Sequence, residues 1–224
     1  LEGRLRALGF DLVYDKTYTD RLVHGTAAEV RAHLRDLPDQ NSTVRFLENH
    51  DERRAAAALP WDRHRAASVL AVTAPGAVLL HEGQMEGAEV RVPVQLLRGP
   101  REAVRPEVRE HYGRLLAALR DPVLRRGRWR LLPVVPSWDG NATWQGFLAF
   151  EWCLEGEMRL VAVNFAPVQG QCYVVLGGER LAGRQVELRD RLGPAVYLRQ
   201  GSELLTRGLY LDLPGWGYHL FEVG

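Results

Sequence analysis

The sequence predicts an α/β segment followed by an all-β segment. Through about residue 125, short apolar runs alternate with stretches of helical periodicity. From about Arg128 the helical periodicity is lost, and short strand-like runs are separated by Gly, Pro and Asn. Alternating strands and helices are typical of a parallel sheet, whereas closely spaced short strands indicate an antiparallel sandwich. We therefore expect two domains, 1–125 and 128–224, with the boundary near 121–127.

Three apolar runs in the first half predict parallel strands, at 10–14, 44–47 and 77–80. Helices are predicted over 1–9, with Gly9 as the stop, and over 26–37, where Thr26 and Glu29 have the spacing of a capping box. Two more are predicted over 62–74 and from Pro106 onward, since proline is favoured in a first helical turn. In the second half, the predicted strands are 147–153, 159–165, 172–176, 185–189 and 195–198.

Composition narrows the class of protein. The chain has 224 residues, of which 46% are hydrophobic and 25% charged, as in ordinary globular proteins. A formal net charge of +1 argues against a nucleic-acid partner. No apolar run approaches the ~20 residues of a membrane-spanning helix, so no membrane partner is expected. The oligomeric state stays open.

The compartment is not fixed by the sequence. No signal peptide is visible, but the chain opens on Leu1 without an initiator methionine, so we expect the true N-terminus to lie upstream. The cytoplasm is favoured slightly. Cys153 and Cys172 lie in strand-like runs, and we expect two buried free thiols without the spacing of a metal site.

Polar residues follow the second and third predicted strands directly. Asn49, His50 and Asp51 end the second strand, and His81 begins a polar group after the third. A strand that ends in polar residues fixes their position while the loop leaves them reachable. The pattern predicts a candidate site at this edge of the sheet, and both an open doubly wound sheet and a (β/α)₈ barrel fit it.

These segments resemble signature regions of the alpha-amylase family of glycoside hydrolases (family 13). F-L-E-N-H-D at 46–51 is similar to the F-x-x-N-H-D region at the end of barrel strand seven. Residues 76–87 resemble the strand-eight segment, and residues 9–16 resemble strand six in one branch of the family. The resemblance implies that 1–125 are the last three βα units of a TIM barrel, and that 128–224 are the family's C-terminal β-sandwich.

The resemblance also implies a chemistry, namely hydrolysis or transfer of α-glucosidic bonds of glucans or oligosaccharides with retention of configuration. Asp51 would stabilise the transition state through hydroxyls of the sugar at the scissile bond. His50 and Asn49 would belong to the substrate-binding set, His50 by donating to the same sugar and Asn49 by orienting the loop. The family's nucleophile and acid/base lie on strands four and five, which would precede Leu1, so we expect this chain alone to be inactive. No cofactor or metal is expected within these residues, although the full-length protein could carry calcium.

Several alternatives stay open. A transglycosylase or isomerase of the same family would share the trio, and Val78 and His81 replace residues that many members carry as Pro and Tyr. A carbohydrate-binding or structural module would place the function in the β-rich half. There Trp138 and Trp144 flank a turn and could stack on sugars.

Other residues are expected to be structural. Trp152 is predicted to lie in the core, Glu86 to make a structural hydrogen bond, and Trp61 to lie near the site. Asp11 and Asp15 would share one face of the first strand without a catalytic role. The remaining histidines show no ligand spacing and receive no role: His24, His33, His64, His111 and His219.

Overall fold

A computed structural model describes residues 2–224, apart from the side chains of Glu2 and Glu179. The predicted helix over 1–9 is observed as α1, and Leu1 lies outside the described residues. The elements of the first half are α1 (Glu2–Ala7), β1 (Val13–Tyr14), α2 (Lys16–His24), α3 (Ala27–Asp36), β2 (Thr43–Arg45), α4 (Ala55–Ala58), α5 (Trp61–Thr73), β3 (Ala77–Val78), α6 (Pro106–Ala118) and α7 (Val123–Arg126).

The second half contains nine more strands and one helix among the described residues, with short 3₁₀ turns at Thr143–Gly146 and Glu179–Leu181. They are β4 (Arg128–Leu131), β5 (Val134–Val135), β6 (Phe147–Leu154), β7 (Glu157–Asn164), β8 (Gly170–Val174), β9 (Gln185–Asp190), β10 (Val196–Gln200), α8 (Gly201–Thr206), β11 (Leu209–Leu213) and β12 (Tyr218–Val223).

The first three strands form a parallel sheet in the order β1-β2-β3, with β2 in the middle. Each strand is shorter than predicted. β1 ends at Tyr14 because Asp15 turns to cap α2, its carboxylate accepting the Tyr18 N–H at 3.0 Å. Phe46 and Leu47 continue the line of β2 into the core without ladder pairing, and both are buried. The helix α2 was not predicted.

Local sequence signals predicted the starts of α3 and α6 correctly. The capping box at α3 is present, with the Thr26 N–H donating to Glu29 Oε2 at 2.7 Å and the Glu29 N–H donating to Thr26 Oγ1 at 3.4 Å. The helix α6 begins at Pro106, as predicted. Its apolar stripe is buried at Val108, Tyr112, Leu115 and Leu119 and partly buried at Leu116.

The second half is antiparallel throughout its described pairings. One sheet has six strands in the order β10-β9-β12-β7-β6-β4, and another has three in the order β11-β8-β5. Their apolar side chains meet in one cluster, in which Phe147 and Leu160 of the larger sheet lie with Cys172 and Leu211 of the smaller. Cys172 and Cys153 are free, as predicted, although Cys153 is only half-buried. Burial raises the pKa of the Cys172 thiol.

The α/β half packs on the six-stranded sheet through a shared core. Leu70 of α5 and Leu115 of α6 belong to the same buried cluster as Phe150 and Val161 of that sheet. Trp152 lies in this core, as predicted, and its indole N–H donates to the Thr73 carbonyl at 2.8 Å. The helical and β-rich segments are therefore one packed structure in the described residues.

Two buried histidines lie where α5, α6 and β12 meet. His64 Nε2 is 2.9 Å from Tyr112 Oη, and His111 Nε2 is 2.7 Å from Ser68 Oγ. Burial lowers the pKa of His64 to about 4 and that of His111 to about 3. The charges of Arg105 on His64, and of His64, Arg65 and Arg114 on His111, act in the same direction.

We predict that these two histidines make the protein less stable in mild acid. Their folded pKa values lie below the ordinary 6.5, so the unfolded state binds more protons than the folded state. The stability they contribute is present above about pH 6.5 and is lost as the pH falls towards their folded pKa values. At ~1.4 kcal/mol per pH unit for each proton bound on unfolding, the free energy of unfolding should fall by roughly 2–4 kcal/mol between about pH 6.5 and 4.5.

Urea unfolding across this pH range measures the effect. The double variant His64→Gln with His111→Gln should flatten the slope, whereas His24→Gln, at an exposed position, should leave it unchanged. An equal slope in the double variant and the parent would show that other groups control the acid response.

Candidate functional site

His50 and Asp51 lie in the loop that follows β2, at the carboxyl end of the parallel sheet. Their side chains are 49% and 72% exposed, and His50 Nε2 lies 3.3 Å from Asp51 Oδ2. The residues just before them, Phe46, Leu47 and Glu48, are all buried. The imidazole of His50 and the carboxylate of Asp51 therefore lie next to each other in contact with solvent, directly after a buried segment of the chain.

Asn49 shapes this loop from inside. Its side chain is buried, and Oδ1 accepts the backbone N–H of Asp51 at 2.9 Å and of Glu52 at 3.1 Å. This is an Asx turn, in which a side-chain oxygen replaces a backbone acceptor. Asn49 thus fixes the backbone at Asp51, and its side-chain oxygen already accepts two hydrogen bonds within the loop.

Glu48 and Arg54 form a buried ion pair that sequence reasoning missed. Arg54 Nη1 lies 2.7 Å from Glu48 Oε1, and the Ala55 N–H donates to Glu48 Oε2 at 2.6 Å. Burial raises the pKa of the Glu48 carboxyl, although the Ala55 N–H, Arg54 and His81 each act in the opposite direction. The available signal in the sequence was Glu48, because a charged residue directly after a buried strand needs a partner, and Arg54 is a nearby residue of opposite charge.

The residues after β3 lie against this pair. His81 Nδ1 is 2.5 Å from Arg54 Nη1 and 3.3 Å from Glu48 Oε1. The His81 N–H donates to Gln84 Oε1 at 3.1 Å, and the buried Gln84 amide donates to Tyr112 Oη at 2.8 Å. Glu86 accepts from Arg109 at 3.3 Å, which fits the structural hydrogen bond expected of it. The loops after β2 and β3 are thereby joined.

A cavity of about 420 Å³ adjoins the loop beneath residues 88–104. Its lining includes the charged Arg54, Glu82 and Glu86 and the apolar Val90 and Leu97. Arg91, within the same segment, donates from Nε to the His50 carbonyl at 3.2 Å. The segment 88–104 is therefore attached to the backbone of the candidate site.

Asp15 is buried and paired, and it is not part of an exposed carboxylate pair. Its carboxylate accepts from Arg45 Nη1 and lies 2.7 Å from His33 Nε2. Burial alone raises the pKa of Asp15, but the hydrogen bond with His33 and the charge of Arg45 outweigh it and hold this pKa below its ordinary value. The prediction that Asp11 and Asp15 share a strand face is wrong, because β1 covers only Val13–Tyr14 and Asp11 is exposed.

The tryptophans occupy different environments. Trp61 packs edge-on against His64 and His111, at 5.4 and 5.6 Å between ring centroids. Trp144 is half-buried, with the Arg31 guanidinium 5.9 Å from its ring centre. Trp138 is 55% exposed and is the better placed of the two flanking indoles for contact with a ligand.

Within residues 2–224, no group of three or more His, Cys, Asp or Glu side chains is placed to hold a metal ion. Across the same residues, the helices are too short or too polar to cross a bilayer.

The fold is shared with the C-terminal half of alpha-amylase-family enzymes. A noncanonic maltogenic alpha-amylase, AmyB from Thermotoga neapolitana, aligns with 99% of this chain and 53% of its own at a TM-score of 0.73 and 14% identity. The alpha-amylase from Geobacillus thermoleovorans, solved with acarbose, aligns with 96% of this chain and 48% of its own at 0.72 and 17%. The trehalulose synthase MutB from Pseudomonas mesoacidophila MX-45 aligns with 89% of this chain and 47% of its own at 0.57 and 17%.

No family model matches the sequence, and no curated protein matches it. The chain spans about half the length of the solved structures it matches. The likeness confirms the fold expected from the resemblance: parallel βα units followed by an antiparallel sheet of six strands, as in the C-terminal domain of alpha-amylases.

We predict that Arg45→Met costs about 3–5 kcal/mol of unfolding free energy. The substitution leaves the Asp15 carboxylate buried without its arginine, and breaking a buried pair in this way carries a penalty of that size. The matched control is Arg35→Met, which removes an arginine from the exposed pair with Asp36 and should leave the unfolding free energy almost unchanged, because solvent screens a surface pair. Urea denaturation of the three proteins measures both values, and equal small losses would contradict a structural role for the buried pair.

Proposed function

We propose that this chain supplies the C-terminal half of an alpha-amylase-like retaining glycoside hydrolase that acts on α-glucans or α-linked oligosaccharides. One observation carries the proposal. In a fold shared with these enzymes, His50 and Asp51 stand exposed and adjacent at the carboxyl end of the middle parallel strand. Carboxyl ends of parallel strands in βα architectures are the usual location of catalytic groups.

Each member of the trio has a role that its environment supports. Asp51 accepts hydrogen bonds from hydroxyls of the sugar at the scissile bond, and these bonds strengthen as the ring distorts towards the oxocarbenium-like transition state. His50 donates to a hydroxyl of the same sugar, because its ring is open to solvent beside Asp51. Asn49 holds the loop, since its oxygen already serves two backbone N–H groups.

The reaction also requires a nucleophilic carboxylate and a proton donor, roughly 5–5.5 Å apart in retaining enzymes. In the family these groups belong to strands four and five, to which no segment of this chain corresponds. The three parallel strands here correspond to strands six to eight. We therefore propose that the chain by itself binds but does not cleave the substrate.

A transglycosylase or isomerase remains the alternative within the same architecture. The trehalulose synthase from Pseudomonas mesoacidophila MX-45 shares the fold over 89% of this chain. Such enzymes differ in how well water reaches the glycosyl-enzyme, whereas Val78 and His81 bear on substrate preference.

A second candidate function is carbohydrate binding by the β-rich half, which the exposure of Trp138 favours. An exposed indole beside a turn offers a flat apolar face of the kind that pyranose rings stack on. Oligosaccharide binding that persists in residues 128–224 alone would support this function over a catalytic site at Asp51.

We predict that the purified 224-residue chain releases no reducing sugar from maltooligosaccharides, because it supplies only the stabilising carboxylate. In the full-length protein, Asp51→Asn should lower kcat by roughly 10²–10³-fold, the size of losing a hydrogen-bonding group used mainly in the transition state. Asp62→Asn is the control, since Asp62 is an exposed carboxylate at the start of α5. Turnover by the short chain, or equal activity of the two full-length variants, would refute the proposed role.

A further inference from the structure

Glu48 is a fully buried carboxylate placed between a core strand and an exposed functional loop. Its oxygens contact Arg54 and the Ala55 N–H inside the protein, so Glu48 has the contacts of a structural group. A buried charge of this kind persists only where its partners compensate the loss of water. The identity of those partners indicates what Glu48 does.

The partners of Glu48 close the loop 49–54 on itself. Glu48 precedes the loop, and its two oxygens engage the two residues at the far end, Arg54 at 2.7 Å and the Ala55 N–H at 2.6 Å. The Asx turn of Asn49 fixes the interior of the same loop. His50 and Asp51 therefore sit on a short arc whose ends are held together by one carboxylate.

Arg54 connects this arc to the loop after β3. Its Nη2 donates to the Glu82 carbonyl at 2.8 Å, and its Nη1 contacts His81 Nδ1 at 2.5 Å. The guanidinium passes directly over Gly83, at φ +82°, where any Cβ would collide with Nη2. A larger residue at 83 would displace Arg54.

The contact with Arg54 also determines which nitrogen of the His81 ring carries the proton. An arginine has only N–H donors, so Nδ1 of His81 must accept from it, and the ring proton lies on Nε2. A hydrogen bond from Nδ1 to Glu48 Oε1 would require the proton on Nδ1 instead. That contact is 3.3 Å, and we assign the tautomer from the shorter contact with Arg54. The His81 side chain is 30% exposed.

We propose that Glu48 is the positioning residue of the His50–Asp51 site: through Arg54 it closes the loop and orients His81 beside it. The proposal rests on the function proposed above, because it concerns the same site. Glu48 acts on Asp51 through the loop backbone and on His81 through the guanidinium.

The buried pair of Asp15 and Arg45 provides a matched control. Asp15 is as fully buried as Glu48 and also pairs with an arginine near the end of a parallel strand. Its other partners, His33 and the Tyr18 N–H, belong to helices and not to the loop. Loss of Asp15 should therefore loosen the fold without a selective effect on residues 49–55.

The test uses the 224-residue chain and amide hydrogen exchange by NMR. In Glu48→Ala, exchange at Asp51, Glu52 and Ala55 should rise about tenfold or more, as expected for the loss of a buried hydrogen bond, while β6 and β7 keep their protection. Glu48→Gln retains an oxygen for the Ala55 N–H, so it should restore much of that protection. Asp15→Asn should leave the loop amides within about twofold of the parent once global stability is accounted for.

The ring nitrogens of His81 give a readout that a purely structural role of Glu48 would not move. Nitrogen-15 spectra should show the Nε2–H form in the parent and a mixture of tautomers in Glu48→Ala and in Arg54→Lys. The single ammonium nitrogen of lysine cannot contact Glu48, His81 and the Glu82 carbonyl together. If Glu48→Ala does not fold, Arg54→Lys serves alone for both measurements. Unchanged loop exchange and an unchanged His81 tautomer in a folded variant would overturn the proposal.

These outcomes are separate from those of the proposed function. Loop exchange and the His81 tautomer are read without a saccharide, so they can succeed even if Asp51→Asn has no effect on the full-length enzyme. In that case Glu48 would still order the loop, and only the glycosidase assignment would fail.

Discussion

Two buried charged side chains, one at the end of β2 and one shortly after it, constrain the α/β half more than any other feature. Arg45 and Glu48 lie on either side of the apolar Phe46 and Leu47, and both are inaccessible to solvent. Because a buried charge without a partner is far more costly than a buried apolar group, each must find compensation nearby. Arg45 is compensated by the carboxylate of Asp15, which follows β1. Glu48 is compensated by Arg54 and by His81, which follows β3.

This arrangement compensates for the short strands. Each parallel strand has only two or three residues with ladder pairing, which gives little register on its own. The ion pair on one side fixes β2 relative to the helices that follow β1, and the network on the other side joins the two site loops. The same residues that stabilise the sheet edge therefore determine where the exposed imidazole and carboxylate stand.

The six-stranded sheet packs against helices of the α/β half. Its apolar face packs against α5 and α6 in one continuous core, and Arg159 of β7 donates from Nε to Asp121 Oδ2 at 2.6 Å at the junction between the halves. The predicted boundary near 121–127 thus falls in a segment with specific contacts to the sheet. The α/β half is not a separate layer that could move freely on the β-rich half.

Local sequence signals predicted much of this fold, and long-range pairing explains what they missed. The capping box of Thr26 and the start at Pro106 depend on neighbours within one turn, so the sequence alone was sufficient. The ends of β2 and β3 were predicted too late, because they depend on which residues find ladder partners in another segment. The pairing of Glu48 with Arg54 and His81, and of Asp15 with His33, joins residues up to 33 positions apart, and no local pattern reports it.

We propose that His50 and Asp51 form the sugar-binding corner of an α-glucan-active site. The most direct test is a crystal structure of the full-length protein with a bound maltooligosaccharide. We expect Asp51 and His50 Nε2 to hydrogen-bond to hydroxyls of one and the same sugar ring, with the loop 49–54 closed by Glu48. A saccharide stacked on Trp138 with the His50–Asp51 loop unoccupied would contradict it.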